Sequence, residues 1–170
     1  MTDLKPDIVR LILSDHETFR ARFAQLDDLR DETPAAAVLW AQLAAHLEVH
    51  ASAEEEHFYP ALLRKVEGSE DETKDAIGDH DEIRQGIRRA AAADPGSAEW
   101  WAGIQDAREA NDEHLAEEER DDLPDFLQSV PVEERQSLGA RFQQFKDEHP
   151  WAAGLDYSDK DPDEFVKENG

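Results

Sequence analysis

The sequence predicts an all-α protein: an antiparallel up-and-down four-helix bundle followed by a short C-terminal helix and an acidic tail. Three observations predict it. Apolar residues recur at helical spacing throughout the 170 residues, and no stretch alternates with a period of two. Proline, glycine and capping residues divide that pattern into four long segments with short connections, an arrangement that packs as a bundle. The chain also repeats itself at an interval of 64 residues. Asp15-His16-Glu17-Thr18-Phe19-Arg20 returns as Asp79-His80-Asp81-Glu82-Ile83-Arg84, and His50-Ala51-Ser52-Ala53-Glu54-Glu55 with Pro60 returns as His114-Leu115-Ala116-Glu117-Glu118-Glu119 with Pro124. Repeated sequence signals repeated architecture, here two helical hairpins.

The elements follow in order. The first helix, from about Pro6 to Leu29, carries Ile8, Ile12, Phe19, Phe23 and Leu26 on one stripe, and His16 falls inside that stripe. Thr33-Pro34 reads as an N-cap with proline at the first helical position. The second helix then runs through Leu39, Leu43, Leu47, His50, Glu54, Phe58 and Leu62 to a break at Gly68-Ser69. The third holds Ile77, His80, Ile83 and Ile87 and ends near Asp94-Pro95-Gly96. Ser97 caps the fourth, which holds Trp101, Ile104, Ala107, His114 and Glu118 and ends near Leu127. Pro131 with the run Val132 to Lys146 predicts a short fifth helix, so residues 1–146 form the bundle domain. Residues 147–170 are acidic and interrupted by Pro150, Gly154 and Pro162, which predicts a tail that wraps the surface or is partly disordered.

Composition narrows the function. A net charge of -24, from 42 acidic and 18 basic residues, repels phosphate backbones and anionic lipid. Neither nucleic acid nor a membrane surface is an expected partner. No apolar run approaches the ~18 residues of a membrane span. Met1-Thr2-Asp3-Leu4-Lys5-Pro6 lacks the basic-then-apolar pattern of a secretory leader, so a cytoplasmic protein is expected. The absence of cysteine excludes iron–sulfur clusters, thiolate zinc sites, disulfides and thiol catalysis.

In an antiparallel hairpin, residues equidistant from the turn lie at one height. His16 and His50 centre on residue 33, His80 and His114 on residue 97, and His50 and His80 on residue 65, each at or near a predicted turn. All four histidines are therefore expected at one level, about 24 Å from each hairpin end at 1.5 Å per residue. Glu54 and Glu118 each follow a histidine at i+4 and share its helix face. Two ionised carboxylates in a bundle core need a counter-charge. Imidazole and carboxylate without thiolate suit iron, manganese or zinc, and two halves, each with a carboxylate able to bridge, suit two ions. Redox-active di-iron is the preferred content. One histidine on an apolar stripe is ordinarily a hydrogen-bonded core residue; four at one level with two matched glutamates ask for more.

Further residues border this set. His57 lies at i+7 from His50 and i+3 from Glu54, on the same face, a candidate extra ligand or support for the ligands. Glu54-x-x-His57 is also the spacing of ferritin-like di-iron bundles, but its repeat partner is Asp121, and helices one and three carry histidine where those bundles carry glutamate. His46 is a weaker candidate on the same stripe. Tyr59, about 180° from His50 on the wheel, is expected to point away from any metal. Arg20 and Arg84, each at i+4 from His16 and His80, are expected to pair with acidic neighbours on the bundle's outer flank. His149 is expected to be solvated.

The segments around His16, His50-x3-Glu54 with Tyr59-Pro60, His80-x3-Arg84, and His114-x3-Glu118 with Leu123-Pro124 resemble the hemerythrin-like, or HHE cation-binding, domain over roughly residues 5 to 145. The resemblance implies a four-helix bundle around a carboxylate-bridged, non-haem centre of two iron ions. Glu54 and Glu118 would bridge, and His16, His50, His80 and His114 would be terminal ligands. It further implies a protein that binds, senses or reacts with a small oxidant such as oxygen, peroxide or nitric oxide. Oxygen carriers of the family have a fifth histidine where this chain has Arg84. Four imidazoles, two bridging carboxylates and a bridging solvent ligand leave about two of some twelve positions open on two octahedral ions. That favours reaction or sensing over carriage. The alternative is a non-enzymatic iron sensor or regulatory metal-binding bundle that acts through its fifth helix and tail.

Overall fold

The structure, a computed structural model, describes residues 5–170. The leader-free N-terminus expected from Met1-Thr2-Asp3-Leu4 lies outside the described residues, as do the first four positions of the expected bundle domain. In chain order the helices are α1 (Ile8–Asp28), α2 (Thr33–His57), α3 (Tyr59–Lys65), α4 (Glu70–Ala91), α5 (Ala98–Glu117), α6 (Leu123–Ser129), α7 (Val132–Glu148) and α8 (Pro162–Asn169). A π-helical turn, Glu118–Asp122, joins α5 to α6, and Pro150–Ala152 forms a 3-10 turn. No strand occurs among the described residues. The chain is an all-α bundle in which α1, α2, α4 and α5 are the long members and α7 and α8 pack on the outside.

Local chemistry sets most boundaries. Asp7 caps α1 by accepting from the Val9 amide at 2.9 Å, and Ser97 caps α5 by accepting from the Trp100 amide at 3.2 Å. Gly68 and Gly96 turn the chain with φ of +80° and +85°, a region glycine enters without steric cost. Thr33, expected as a cap, is instead the first residue of α2, and no side chain caps that helix. Its side chain packs against Gly96, where an added Cβ would lie 2.7 Å from the Thr33 hydroxyl.

Both long helices that follow the hairpin turns deform at the same repeat position. Pro60 and Pro124 lack an amide proton, and their rings crowd the carbonyls of Glu56 and Arg120 four residues back. In the first half the helix breaks at Phe58 and restarts as α3; in the second it widens into the π turn. Each deformation lies within about a turn of a glutamate of the repeat: the break comes at Phe58 after Glu54, and the π turn begins at Glu118. π-helical turns occur often at functional positions.

Two apolar clusters fill the bundle. One, including Phe19, Phe23, Leu43, Leu47, Ile83, Ile104 and Leu115, occupies the end near the two hairpin turns. The other, including Ile8, Ile12, Phe58, Leu62, Ile77, Phe126 and Phe142, occupies the opposite end, where α3, α6 and α7 close the bundle. A buried polar layer lies between them. Within the second hairpin the helix backbones touch: a Cβ on Gly86 would sit 2.5 Å from the Ala107 nitrogen, and one on Gly103 would sit 2.4 Å from the Ala90 nitrogen. The His80 and His114 rings are 4.6 Å apart in this hairpin, against 5.3 Å for His16 and His50 in the other.

The C-terminal segment is folded onto the bundle. Asp161-Pro162 starts α8 by capping, with the Asp161 carboxylate accepting from the Glu164 amide at 2.9 Å. Phe165 is buried against the second cluster, and Arg88–Asp159 and Lys74–Asp163, both at 2.7 Å, tie the segment to α4. Helix α8 was not expected from the broken acidic sequence; the capping pair and the buried phenylalanine explain it. No helix among the described residues is long and apolar enough to cross a membrane.

The tight crossing makes a direct prediction. Gly86→Ala should destabilise the protein by about 1–3 kcal/mol, because the methyl group meets backbone that cannot yield without separating the helices. Gly78→Ala, where a Cβ meets nothing within 4 Å, should be neutral or stabilising by up to ~1 kcal/mol. Thermal unfolding of the metal-free protein distinguishes the two; equal shifts would show that α4 and α5 are not in close contact.

Candidate metal centre

The four histidines project inward at one level, two from each hairpin. His16, His50, His80, His114, Glu54 and Glu118 are all buried, none more than 3 % exposed. Their ligand-type atoms form two groups, each with all atoms within 4.8 Å of one another: His16, His50, Glu54 and Glu118, and Glu54, His80 and His114. Glu54 belongs to both. Its Oε1 lies 2.8 Å from His50 Nε2, and its Oε2 lies 3.2 Å from His80 Nε2 and 3.6 Å from His114 Nε2. Glu118 Oε2 lies 3.1 Å from His16 Nε2 and 3.9 Å from His114 Nε2.

These contacts are short but are not satisfied hydrogen bonds. Nε2 of His16, Nε2 of His50, both carboxylate oxygens of Glu54 and Oε2 of Glu118 are buried without a hydrogen-bond partner. Buried polar atoms are nearly always paired, because an unpaired one loses its hydration for nothing. Five orphaned atoms converging on one layer are atoms that point at common centres between them. The donor set, imidazole and carboxylate without sulfur, is that of iron, manganese or zinc. On both counts the residues fit a metal cation.

Behind each histidine stands a carboxylate at its Nδ1. Glu119 Oε1 is 2.8 Å from His16, Asp15 Oδ2 2.9 Å from His50, and Glu55 Oε1 2.9 Å from His80. Asp79 Oδ2 approaches His114 at 3.6 Å. Such a partner fixes the tautomer, leaving Nε2 free to ligate, and orients the ring. The pattern obeys the 64-residue repeat throughout: Asp15 and Asp79 serve the histidine of their own hairpin, Glu55 and Glu119 that of the other. The sequence reading named no role for these four residues, although Asp-His and Glu-Glu recur in both halves and were the available signal.

The layer is electrostatically strong. Burial by itself would lower the His50 pKa, but Glu54 and Asp15 override it and raise the group to about 9. His114 is raised in the same sense: burial opposes, and contacts with Asp79 and Glu54 prevail. Burial works to raise the Glu54 pKa, and the surrounding histidines reverse this and hold it low. In the metal-free protein His50 is therefore a cation at neutral pH. Its stabilising contribution is complete below the ordinary value of 6.5 and is lost as pH rises through about 9. A metal ion takes the proton's place.

Neighbouring residues depart from expectation in instructive ways. Tyr59 does reach the site: its hydroxyl donates to Glu118 Oε1 at 3.0 Å. Helix α2 ends at His57 and Tyr59 opens a new helix, so a wheel drawn through the break misplaces it. Arg84 was expected on the flank and is instead fully buried. It does pair with acids, donating to both oxygens of Glu48 at 2.9 and 3.2 Å and to both of Glu55 at 3.0 and 3.1 Å. Its repeat partner Arg20 is on the flank, 47 % exposed and 2.9 Å from Glu119. His57 belongs to neither ligand group and stands half-buried against the Phe145 ring of α7. His46 supports Asp15 at 3.0 Å, and His149 donates locally from its Nδ1 to the Ala153 carbonyl at 2.8 Å.

A cavity of about 190 Å³ connects this layer to the surface between α4 and the π turn. Its walls include Glu72, Asp75, Asp79, Asp121 and Asp122 as well as His114 and Glu118. Burial, with Glu118 beside it, pushes the Asp122 carboxyl up to about 8.

The chain matches the hemerythrin family, described as the hemerythrin HHE cation binding domain, over residues 7–126. No curated protein and no solved structure matches it.

Arg84 yields the prediction for this site. Removing one member of a buried ion pair leaves uncompensated charge and costs about 3–5 kcal/mol. Arg84→Met should destabilise the protein in that range, and Arg84→His, which restores a fifth histidine, should do the same, because Glu48 and Glu55 lose their common partner. Chemical denaturation measures both; a stable Arg84→His variant would show that the two glutamates find another counter-charge.

Proposed function

The chain belongs to the hemerythrin HHE cation-binding family, and from that premise we propose that the buried layer holds two iron ions and that the centre binds, senses or reacts with a small oxidant. In this reading His16 and His50 would hold one ion and His80 and His114 the other, with Glu54 shared between them. The carrying observation is Glu54, whose two oxygens face different histidine pairs, at 2.8 Å on one side and 3.2 Å on the other. Glu118, whose Oε2 lies 3.1 Å from His16 and 3.9 Å from His114, would be the second shared carboxylate. Iron so held supplies a change of oxidation state at each ion and open positions for a small ligand.

The chain's own residues account for the rest. The apolar clusters above and below the layer exclude bulk water, which strengthens every charge interaction inside it. Glu119, Asp15 and Glu55 at Nδ1 hold the imidazoles of His16, His50 and His80 with Nε2 turned inward. Tyr59 fixes Glu118 through one oxygen and leaves the other free for a metal. The acidic cavity beside His114 gives small polar molecules a way in. Arg84 is committed to Glu48 and Glu55 and supplies no fifth nitrogen, so the centre is more open than that of an oxygen carrier. Reaction or sensing with oxygen, peroxide or nitric oxide follows more readily from such openness than reversible carriage does.

Elemental analysis of protein produced with ample iron should find about two irons per chain. Glu54→Ala, which removes a carboxylate touching three of the four histidines, should lose both, while Glu118→Ala should retain part of the metal. One tightly held zinc and no iron would sink the di-iron reading. Stopped-flow spectra of the reduced protein mixed with oxygen should show oxidation within minutes; a colour that disappears again under vacuum would instead establish oxygen carriage.

A further inference from the structure

The four carboxylates behind the histidines differ in one respect. Glu119 is paired with Arg20 at 2.9 Å, Glu55 with Arg84 at 3.0 Å and with Lys160 at 2.5 Å, and Asp15 with Lys146 at 2.6 Å. Asp79 has no cationic side chain paired with it among the described residues except His114 itself. The three carboxylates with a cation stand 2.8–2.9 Å from their imidazoles, and the fourth stands at 3.6 Å. Asp15 and Asp79 are repeat partners on equivalent helices, so the repeat provides an internal comparison. Asp15 has Lys146 and His46 on its outer oxygen; the position equivalent to His46 is Ala110, and no lysine reaches Asp79.

Lys146 lies on α7 and Lys160 in the strap before α8, both beyond residue 126, where the family match ends. The strap is anchored at the same place: the Lys160 amide donates to Asp81 Oδ1 at 2.8 Å, beside His80. We propose that the C-terminal segment is a working part of the metal centre, with Lys146 and Lys160 as positioning residues that seat Asp15 and Glu55 against His50 and His80. A carboxylate held by an ammonium on one oxygen presents the other at a fixed angle to the imidazole, so less ordering remains to be done when a metal binds. By linkage the coupling is reciprocal: a tail that favours the metal-bound geometry is itself held more firmly once the metal is bound. This rests on the metal-site reading above.

The test uses the full chain and cobalt(II) as the probe, with affinity measured by competition against a coloured chelator. Losing a histidine's own partner typically weakens metal binding about 10–100-fold; the lysines act one step further out, so Lys146→Met and Lys160→Met should each weaken it about 3–10-fold. Lys146→Arg and Lys160→Arg, which keep the charge, should restore most of that. Lys74→Met removes a tail contact that touches no site carboxylate, the pair with Asp163, and should leave affinity unchanged. In the wild type, cobalt should slow hydrogen exchange at the Lys160 amide. Circular dichroism and melting of the metal-free variants confirm that each is folded. If both methionine variants bind like wild type, or Lys74→Met weakens binding equally, the proposal is overturned while the metal site stands. If the wild type binds no cobalt, the site reading itself fails and takes the proposal with it.

Discussion

Buried carboxylates need cations, and that requirement organises this bundle from the centre outward. Glu54 and Glu118 lie in the middle of a helical core, and Asp15, Glu48 and Glu55 are buried around them. Leaving such groups ionised without a partner would cost several kcal/mol each. The innermost pair faces four imidazoles and, in the proposed holoprotein, two metal ions. The next ring is met by Arg84, Lys146 and Lys160. An overall charge of -24 therefore coexists with a core in which nearly every negative group has a named partner.

The pseudo-two-fold symmetry of the repeat makes its departures informative. Tyr59 holds Glu118, whereas the equivalent position facing Glu54 is Leu123. Arg84 is sealed inside the bundle, whereas its equivalent Arg20 is at the surface. Lys146 supports Asp15, whereas Asp79 has no such support. The two halves thus present different surroundings to two otherwise equivalent ligand sets. The half containing Asp79 is also the half that borders the acidic cavity. Two ions in such a frame would not be chemically equivalent, and the one next to His114 is the better placed to meet a molecule arriving from solvent.

Much of this was legible in the sequence because it depends on spacing. Four helices, their turns and the common level of His16, His50, His80 and His114 follow from helical rise and from the positions of Pro34, Gly68, Gly96 and Ser97. The carboxylates at Nδ1 were written into the repeat as Asp-His and Glu-Glu, but their role depends on which helix each side chain reaches across to. Tyr59 was misplaced because Pro60 breaks the helix and the wheel does not continue through a break. Arg84 was assigned to the flank because arginine is mostly a surface residue, a tendency that a matched pair of buried glutamates overrides. His57 lies on the right face of the wheel, yet it is the last residue of α2 and turns to Phe145, a contact made by a helix more than 80 positions later in the chain. Helix α8 and the two lysines act through contacts between residues far apart in the chain, Lys146 with Asp15 and Lys160 with Glu55 among them, which no local pattern can reveal.

Position 84 is where stability and the proposed reactivity are joined. A histidine there could be a further metal ligand, but it could not reach four carboxylate oxygens at once, nor would it remain charged at every pH. An arginine does both: its planar donors match two carboxylates, and its charge is permanent. Glu55 then backs His80 from one of the same oxygens that Arg84 grips, so the guanidinium orients the imidazole it cannot replace. The more open coordination proposed for this centre is thus not a simple loss of a ligand. The residue standing at that position balances Glu48 and Glu55 of α2 from across the bundle, and the proposed openness of the metal site follows from that use.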